Sequence, residues 1–307
     1  MPQKDGPEIG FSSPENNAEI LSSSIWVDVG VNNFTLSPDA IGGAPVDGQG
    51  HYHFYVDGLA VGEAAAERFL VTDLEPGLHD VSARLFGNDH QPVAGASPAV
   101  VTVSIPEEAP RVKILSPGQG ATIDSSSVEI QIETQNYNSG RWHAYVDTLE
   151  GEPTGIGSDP VNVVTRVPAG RHNIFVRLHH SDGTPFVPEI IDQLVVEIPD
   201  TAPRILIVSP GENAQTTRSP TIRVEATNFI LDGTSAGGEN VDGVGHLHVY
   251  VDGYDSGHMW QEGYANDITL NQIPTGTRDV YVRIMNNDHT SIEPKIVDRI
   301  RLNVTGP

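Results

Sequence analysis

The chain has 307 residues, with 41 acidic against 17 basic side chains and a formal charge of -24. A polyanion is repelled by phosphate backbones and anionic lipid, which makes nucleic acid and membrane surfaces poor partners. No cysteine is present, so disulfides, iron–sulfur clusters and thiolate metal sites are excluded.

The opening "MPQKDGPEIG" does not have the build of a signal peptide, and strand-like sequence begins near Glu8. No stretch has the apolar length of a membrane span. The expected location is extracellular, cell-surface or periplasmic, after removal of a leader that this sequence does not contain. From there the chain repeats itself three times. "EIGFSSPENNAEI", "RVKILSPGQGATI" and "RILIVSPGENAQT" each give an apolar alternating run, a Ser-Pro step and a polar turn, with prolines at Pro14, Pro117 and Pro210. "SSSIWVDV", "SSSVEIQIET" and "SPTIRVEATNF" follow, then "GHYHFYVDG", "GRWHAYVDT" and "GHLHVYVDG". Each unit closes on a further alternating strand, "AVVTVSIP", "LVVEIP" or "RIRLNV".

About seven short strands per unit, bounded by turn residues, predict an all-β chain of three tandem immunoglobulin-like β-sandwiches. The expected domains are 1–107, 108–200 and 201–307. The short bridges "PEEAP" and "PDTAP" predict a stiff rod rather than a flexible string.

Side chains alternate faces along a strand. In "GHYHFYVDG", Tyr52, Phe54 and Val56 take the core face, while His51, His53, Tyr55 and Asp57 take the outer one. In "GHLHVYVDG", Leu247, Val249 and Val251 oppose His246, His248 and Tyr250. The antiparallel neighbour should be "HDVSARLF" in the first repeat and "RDVYVRIM" in the third. Their ends, Asn88-Asp89-His90 and Asn287-Asp288-His289, then fall beside the start of the histidine strand. His51, His53 and His90 converge at one site; His246, His248 and His289 converge at another. Such an imidazole set suits Cu²⁺ or Zn²⁺ and leaves a coordination position open.

Secondary candidates surround these six. Asp89 and Asp288 either join the ligands or form a hydrogen-bonded cluster that fastens the loop. His79 starts its strand at the far end, near Asp57, and reads as a capping or packing residue. His258 has no partner in the other repeats and is either a fourth ligand or uninvolved. The middle repeat has Arg141 and Gly183 where the others have histidines, so its site is lost or shifted to His143, His180 and Asp182. Asp47 and Asp242, in "PVDGQG" and "NVDGVG", raise a Ca²⁺ loop with few oxygen ligands.

The pattern G-H-x-H-x-Y-V-D-G, then L-x-x-G-x-[HN], then a strand ending N-D-H, resembles uncharacterised exported bacterial and archaeal immunoglobulin-like domains. The first and third repeats carry the main elements, except that Arg278 stands in the [HN] place of the third. The resemblance implies an exported β-sandwich with a metal-binding role. It implies no established activity.

The function expected is a cell-surface or exported protein that binds a divalent transition metal, structural or part of an extracellular assembly. Partners would be metal ions, further copies in an oligomer or filament, or other surface proteins. The alternatives are a metal-free adhesion or carbohydrate-binding module, and a small copper or zinc enzyme. No nucleophile elbow, zinc-protease helix or nucleotide loop supports catalysis.

Overall fold

The computed structural model describes residues 6–137 and 140–306. The first five residues, on which part of the leader reading falls, lie outside the described residues. Among those described, regular structure is β-strand with three short 3-10 turns and no α-helix. None of it is a helix long and apolar enough to cross a membrane.

The first repeat contains β1 (Glu8–Ser13), β2 (Ala18–Glu19), β3 (Ile25–Asn32), β4 (Thr35–Leu36), β5 (Gln49–Val56), β6 (Leu59–Ala64), β7 (Arg68–Val71), β8 (Gly77–Gly87) and β9 (Ala99–Ile105). One sheet runs β1-β3-β7. The other runs β2-β9-β8-β5-β4, with β6 added to β5. The middle repeat contains β10 (Arg111–Ser116), β11 (Ala121–Thr122), β12 (Val128–Gln135), β13 (Arg141–Val146), β14 (Gly155–Gly157), β15 (Val161–Val164), β16 (Gly170–His179) and β17 (Ile191–Ile198). Here β12 pairs with β15, β13 with β14, and β11 with β17. The third repeat contains β18 (Arg204–Ser209), β19 (Ala214–Thr216), β20 (Thr221–Thr227), β21 (Ile230–Leu231), β22 (Val244–Val251), β23 (Met259–Gly263), β24 (Asp267–Thr269), β25 (Gly276–Asn286) and β26 (Val297–Val304). Its sheets, β18-β20-β24 and β19-β26-β25-β22-β21 with β23 on β22, repeat the first pattern. The chain is all-β and built from immunoglobulin-like β-sandwiches in tandem.

Alternation along the strands makes the cores. Val27, Tyr52, Phe54, Val81, Ala83 and Val103 from both sheets of the first repeat are fully buried together. Phe54 stacks on Phe69 at 4.4 Å. Burying one such large side chain contributes about 1.5–3 kcal/mol. The hydroxyl of Tyr52 donates to Ala66 O at 3.0 Å, and burial still raises this phenol to about 12.

By compactness the chain divides into two units. One is Met1–Lys113 with Thr134–Gly140 and Arg177–Asp192; the other is Ile114–Glu133 with Arg141–Val176 and Gln193–Pro307. Each unit contains one inter-repeat joint, and the two joints are built alike. In the first unit Ser22 Oγ and Ser24 Oγ donate to Glu189 O at 2.8 and 3.2 Å, and Ile191 N donates to Ser24 Oγ at 2.9 Å. In the second, Ser125 Oγ and Ser127 Oγ donate to Lys295 O at 2.7 and 2.6 Å, and Val297 N donates to Ser127 Oγ at 3.0 Å. The bridging turns are pinned as well. Asn136 Nδ2 donates to Glu107 O and Ala109 O, and Asn228 Nδ2 donates to Asp200 O and Ala202 O.

The first and third repeats differ from the middle one at the corresponding positions. Val167 N and Ile273 N donate to Ser126 O and Arg218 O, so Arg218 and Ser219 hold the places of Ser126 and Ser127. Ser219 Oγ accepts instead from Gln272 of its own repeat. Counting back from Ile105 and Val304, which face Gly77 and Gly276, puts Pro98 where Val297 stands. A proline has no N–H to donate to a serine.

Ser127→Ala leaves the buried Val297 N–H without an acceptor, and such a group costs about 1–3 kcal/mol. We expect Ser24→Ala and Ser127→Ala each to lower unfolding free energy by that amount. Ser219→Ala, which breaks no inter-repeat bond, should cost less than about 1 kcal/mol. Urea unfolding of the full chain measures all three.

Candidate metal centre

The register between β5 and β8 puts Gly50 opposite Gly87, His51 opposite Phe86 and His53 opposite Arg84. That between β22 and β25 puts Gly245 opposite Asn286, His246 opposite Met285 and His248 opposite Arg283. The glycine before each histidine pair is sterically required. A Cβ on Gly50 would lie 2.0 Å from Phe86 O, and one on Gly245 2.1 Å from Met285 O.

The three residues of each N-D-H turn divide the work. Asn88 O accepts from Gly42 N and Asn88 Nδ2 donates to Ala44 O; Asn287 does the same with Gly237 N and Glu239 O. Each Asn thus ties a loop across the site. Asp89 Oδ1 accepts from Gln91 N, and Asp288 Oδ1 accepts from both the amide and the hydroxyl of Thr290. Those bonds hold Asp288 below the ordinary carboxylate range. The aspartates cap their turns and are not in the donor clusters. His90 and His289 then point inward from a left-handed backbone, with φ 58° and 64°. Gly183 holds the same turn position in the middle repeat, at φ 87°.

In the first repeat four donor atoms meet. His51 Nε2 lies 3.0 Å from His53 Nε2 and 3.1 Å from His90 Nδ1, which is 3.4 Å from His53 Nε2. Glu63 Oε2 lies 3.7, 3.2 and 3.4 Å from these three nitrogens. In the third repeat the separations among His246 Nε2, His248 Nε2 and His289 Nδ1 are 3.0, 3.0 and 3.2 Å. Glu262 Oε1 reaches His289 Nδ1 at 3.6 Å, while its Oε2 accepts from the Tyr264 hydroxyl. Both groupings are compatible with one metal ion.

The histidines face away from the core, as strand parity predicts, and they range from buried to exposed, with His90 and His289 at the open side. His51 and His246 are fully buried and His248 nearly so. The Phe86 ring stacks on His53 at 3.9 Å, and Asn88 and Asn287 hold neighbouring loops through Ala44 O and Glu239 O. Burial is the first cause that lowers the pKa of His51, His53 and His246, with neighbouring imidazoles adding to it. In His248 the same causes bring the value to about 4. These rings are neutral at pH 7, the form in which imidazole binds metal.

Among the remaining candidates, His79 Nδ1 bonds Asp57 Oδ2 and its Nε2 bonds Glu75 O, both at 2.7 Å. His172 repeats this with Asp147 and Ala169 O, and Arg278 with Asp252 and Thr275 O. This clamp is why arginine can replace histidine there. His258 bonds Asp255 at 2.7 Å. His143 lies 3.5 Å from the Tyr145 hydroxyl, His180 packs on Phe186, and Asp182 caps Thr184. None of these, nor Asp47 or Asp242, belongs to either donor cluster.

Strand parity within β5 and β22 does not reach Glu63 and Glu262. They lie on the next strand, directly opposite His53 and His248. Glu63 Oε2 joins the first cluster as a fourth donor atom. The matching residue in the middle repeat is Ile156, opposite His143.

No protein-family model matches the chain, and no curated protein matches it. Solved structures that align with it include fibronectin(III)-like modules of Clostridium thermocellum CbhA, at 15% identity over 64% of this chain and 94% of that one, with TM-score 0.24. A Bacteroides ovatus mixed-linkage glucan utilization protein, SGBP-B, solved with a mixed-linkage heptasaccharide, aligns at 12% identity over 99% and 71%, with TM-score 0.24. The N-terminal eight Ig domains of Down Syndrome Cell Adhesion Molecule align at 10% identity over 98% of this chain and only 40% of that one, with TM-score 0.20. Scores this low transfer nothing about function.

Two outcomes follow. His248 titrates at about 4 when folded and near 6.5 when free. Between those values the unfolded chain binds more protons than the folded one, so stability is lost as pH falls. Metal-free protein should therefore lose stability progressively from about pH 6.5 to 4, as urea unfolding at each pH will show. Second, His90→Gly and His289→Gly restore the residue that the middle repeat uses. In chelator their stability should stay within about 1 kcal/mol of the parent, because relief of the left-handed backbone offsets the added chain entropy. A loss of several kcal/mol would make the histidines a structural cluster.

Proposed function

We propose that the protein is an exported chain of three sandwich repeats, 1–107, 108–200 and 201–307, that binds Zn²⁺ in the first and third. His51, His53, His90 and Glu63 hold one ion; His246, His248 and His289 hold the other. The supporting observation is the closed triangle of ring nitrogens. A neutral ring nitrogen facing its neighbours carries either one hydrogen or one lone pair. One inward N–H satisfies one side of the triangle and leaves two lone pairs opposed; two inward N–H groups collide. A shared cation satisfies all three nitrogens at once.

Tetrahedral bonds of about 2.0–2.1 Å put ligand atoms about 3.3–3.4 Å apart. The six separations in the first repeat run from 3.0 to 3.7 Å around that value. A square-planar Cu²⁺ site would instead show two diagonals near ~4 Å. The geometry therefore favours zinc over copper. The Nδ1 atoms of His51 and His246 are buried without a hydrogen-bond partner. Loss of the outer partner of a ligating imidazole typically lowers metal affinity about 10–100-fold, so the ions should be exchangeable.

Protein purified without a histidine tag, stripped and titrated with Zn²⁺, should take up two equivalents per chain. His53→Ala and His248→Ala should each remove one. Elemental analysis after gel filtration reads the stoichiometry, and no saturable uptake by the parent chain would overturn the proposal.

A further inference from the structure

The two clusters differ in their carboxylate. Glu63 Oε2 is within 3.7 Å of all three nitrogens of its cluster. Glu262 approaches only His289, and its other oxygen is engaged by the Tyr264 hydroxyl. Tyr264 is half-exposed, and its backbone packs against Gly233. A Cβ on Gly233 would lie 2.3 Å from Tyr264 Cβ, so only glycine at 233 lets the tyrosine backbone pack there. In the first repeat the matching positions are Pro38 and Ala65, and Glu63 has no such tether.

We infer that the third-repeat ion keeps a coordination position for a small exogenous anion, such as a monodentate carboxylate, while the first-repeat ion is closed by Glu63. This rests on the metal-binding reading above. Charge points the same way. Three neutral imidazoles leave a divalent ion with its full charge, whereas Glu63 neutralises half of it. The Arg283 guanidinium is also buried beside the third site, opposite His248, and its Nη2 pairs with Glu293 Oε1 at 3.6 Å. Its counterpart in the first repeat, Arg84, is exposed. A positive, incompletely coordinated centre in a strongly acidic chain is where an anion is best accommodated.

Co²⁺ serves as a spectroscopic stand-in for Zn²⁺ and azide as the anionic probe. The parent chain loaded with two Co²⁺ should bind one azide, seen as a charge-transfer band saturating at one equivalent per chain. Glu63→Ala opens the first site and should raise this to two. Tyr264→Phe releases Glu262 onto the metal and should weaken azide binding at least tenfold without changing the cobalt content. Two cobalt ions with no azide, or with two equal azide sites in the parent, would overturn this inference and leave metal binding standing. Failure to bind cobalt at all would overturn both.

Discussion

The antiparallel register between the histidine strand and its neighbour is the constraint on which both clusters depend. It brings a turn more than thirty residues downstream in sequence to the first residues of β5 and β22. Gly50 and Gly245 make that approach possible, because the carbonyl of the facing strand occupies the space a Cβ would take. One residue of slip would send His51 and His53 into the core and Tyr52 and Phe54 out of it. The apolar burial that stabilises the sandwich therefore also holds the imidazoles in position. The ligand geometry is inherited from a core of much greater energetic weight than the site itself.

Much of this was legible in the sequence, because β-sheets write their faces in alternation. Tyr52, Phe54 and Val27 announce the core, the threefold recurrence announces the repeats, and the N-D-H ending brings a third histidine to the pair. Glu63 and Glu262 were not legible, since their position depends on a hairpin register that alternation within one strand does not reveal. Burial of His51 and His246 was missed for a related reason. Parity says which face a residue takes, but the rings packed around His51 and His246, such as Phe86 and Tyr264, are set by tertiary packing. The serine triplets recurred visibly, yet their partners lie more than 160 residues away and only packing identifies them.

Comparison among the repeats separates framework from site. The turn ending β16 adopts the same backbone as those ending β8 and β25, and it uses glycine at its left-handed position. A side chain there is strained by about 1–2 kcal/mol for most residues. Two repeats accept a histidine at that point, and in both its ring nitrogen is aimed at two others. The middle repeat has relaxed the turn and put Ile156 where the carboxylate would be. With Arg141 in place of the first histidine, the differences fall on β13, β14 and the turn after β16, while His143 is kept.

The inter-repeat joint has a direction. A repeat offers paired serines to its successor and a carbonyl and an amide, from Glu189 and Ile191 or from Lys295 and Val297, to its predecessor. The middle repeat takes part in both joints, whereas Pro98 removes the receiving N–H from the first repeat. The middle repeat is thus a module with both halves of the joint in use. A duplicate of it inserted in tandem would carry its own serines and its own receiving amide, and would add no further histidine cluster.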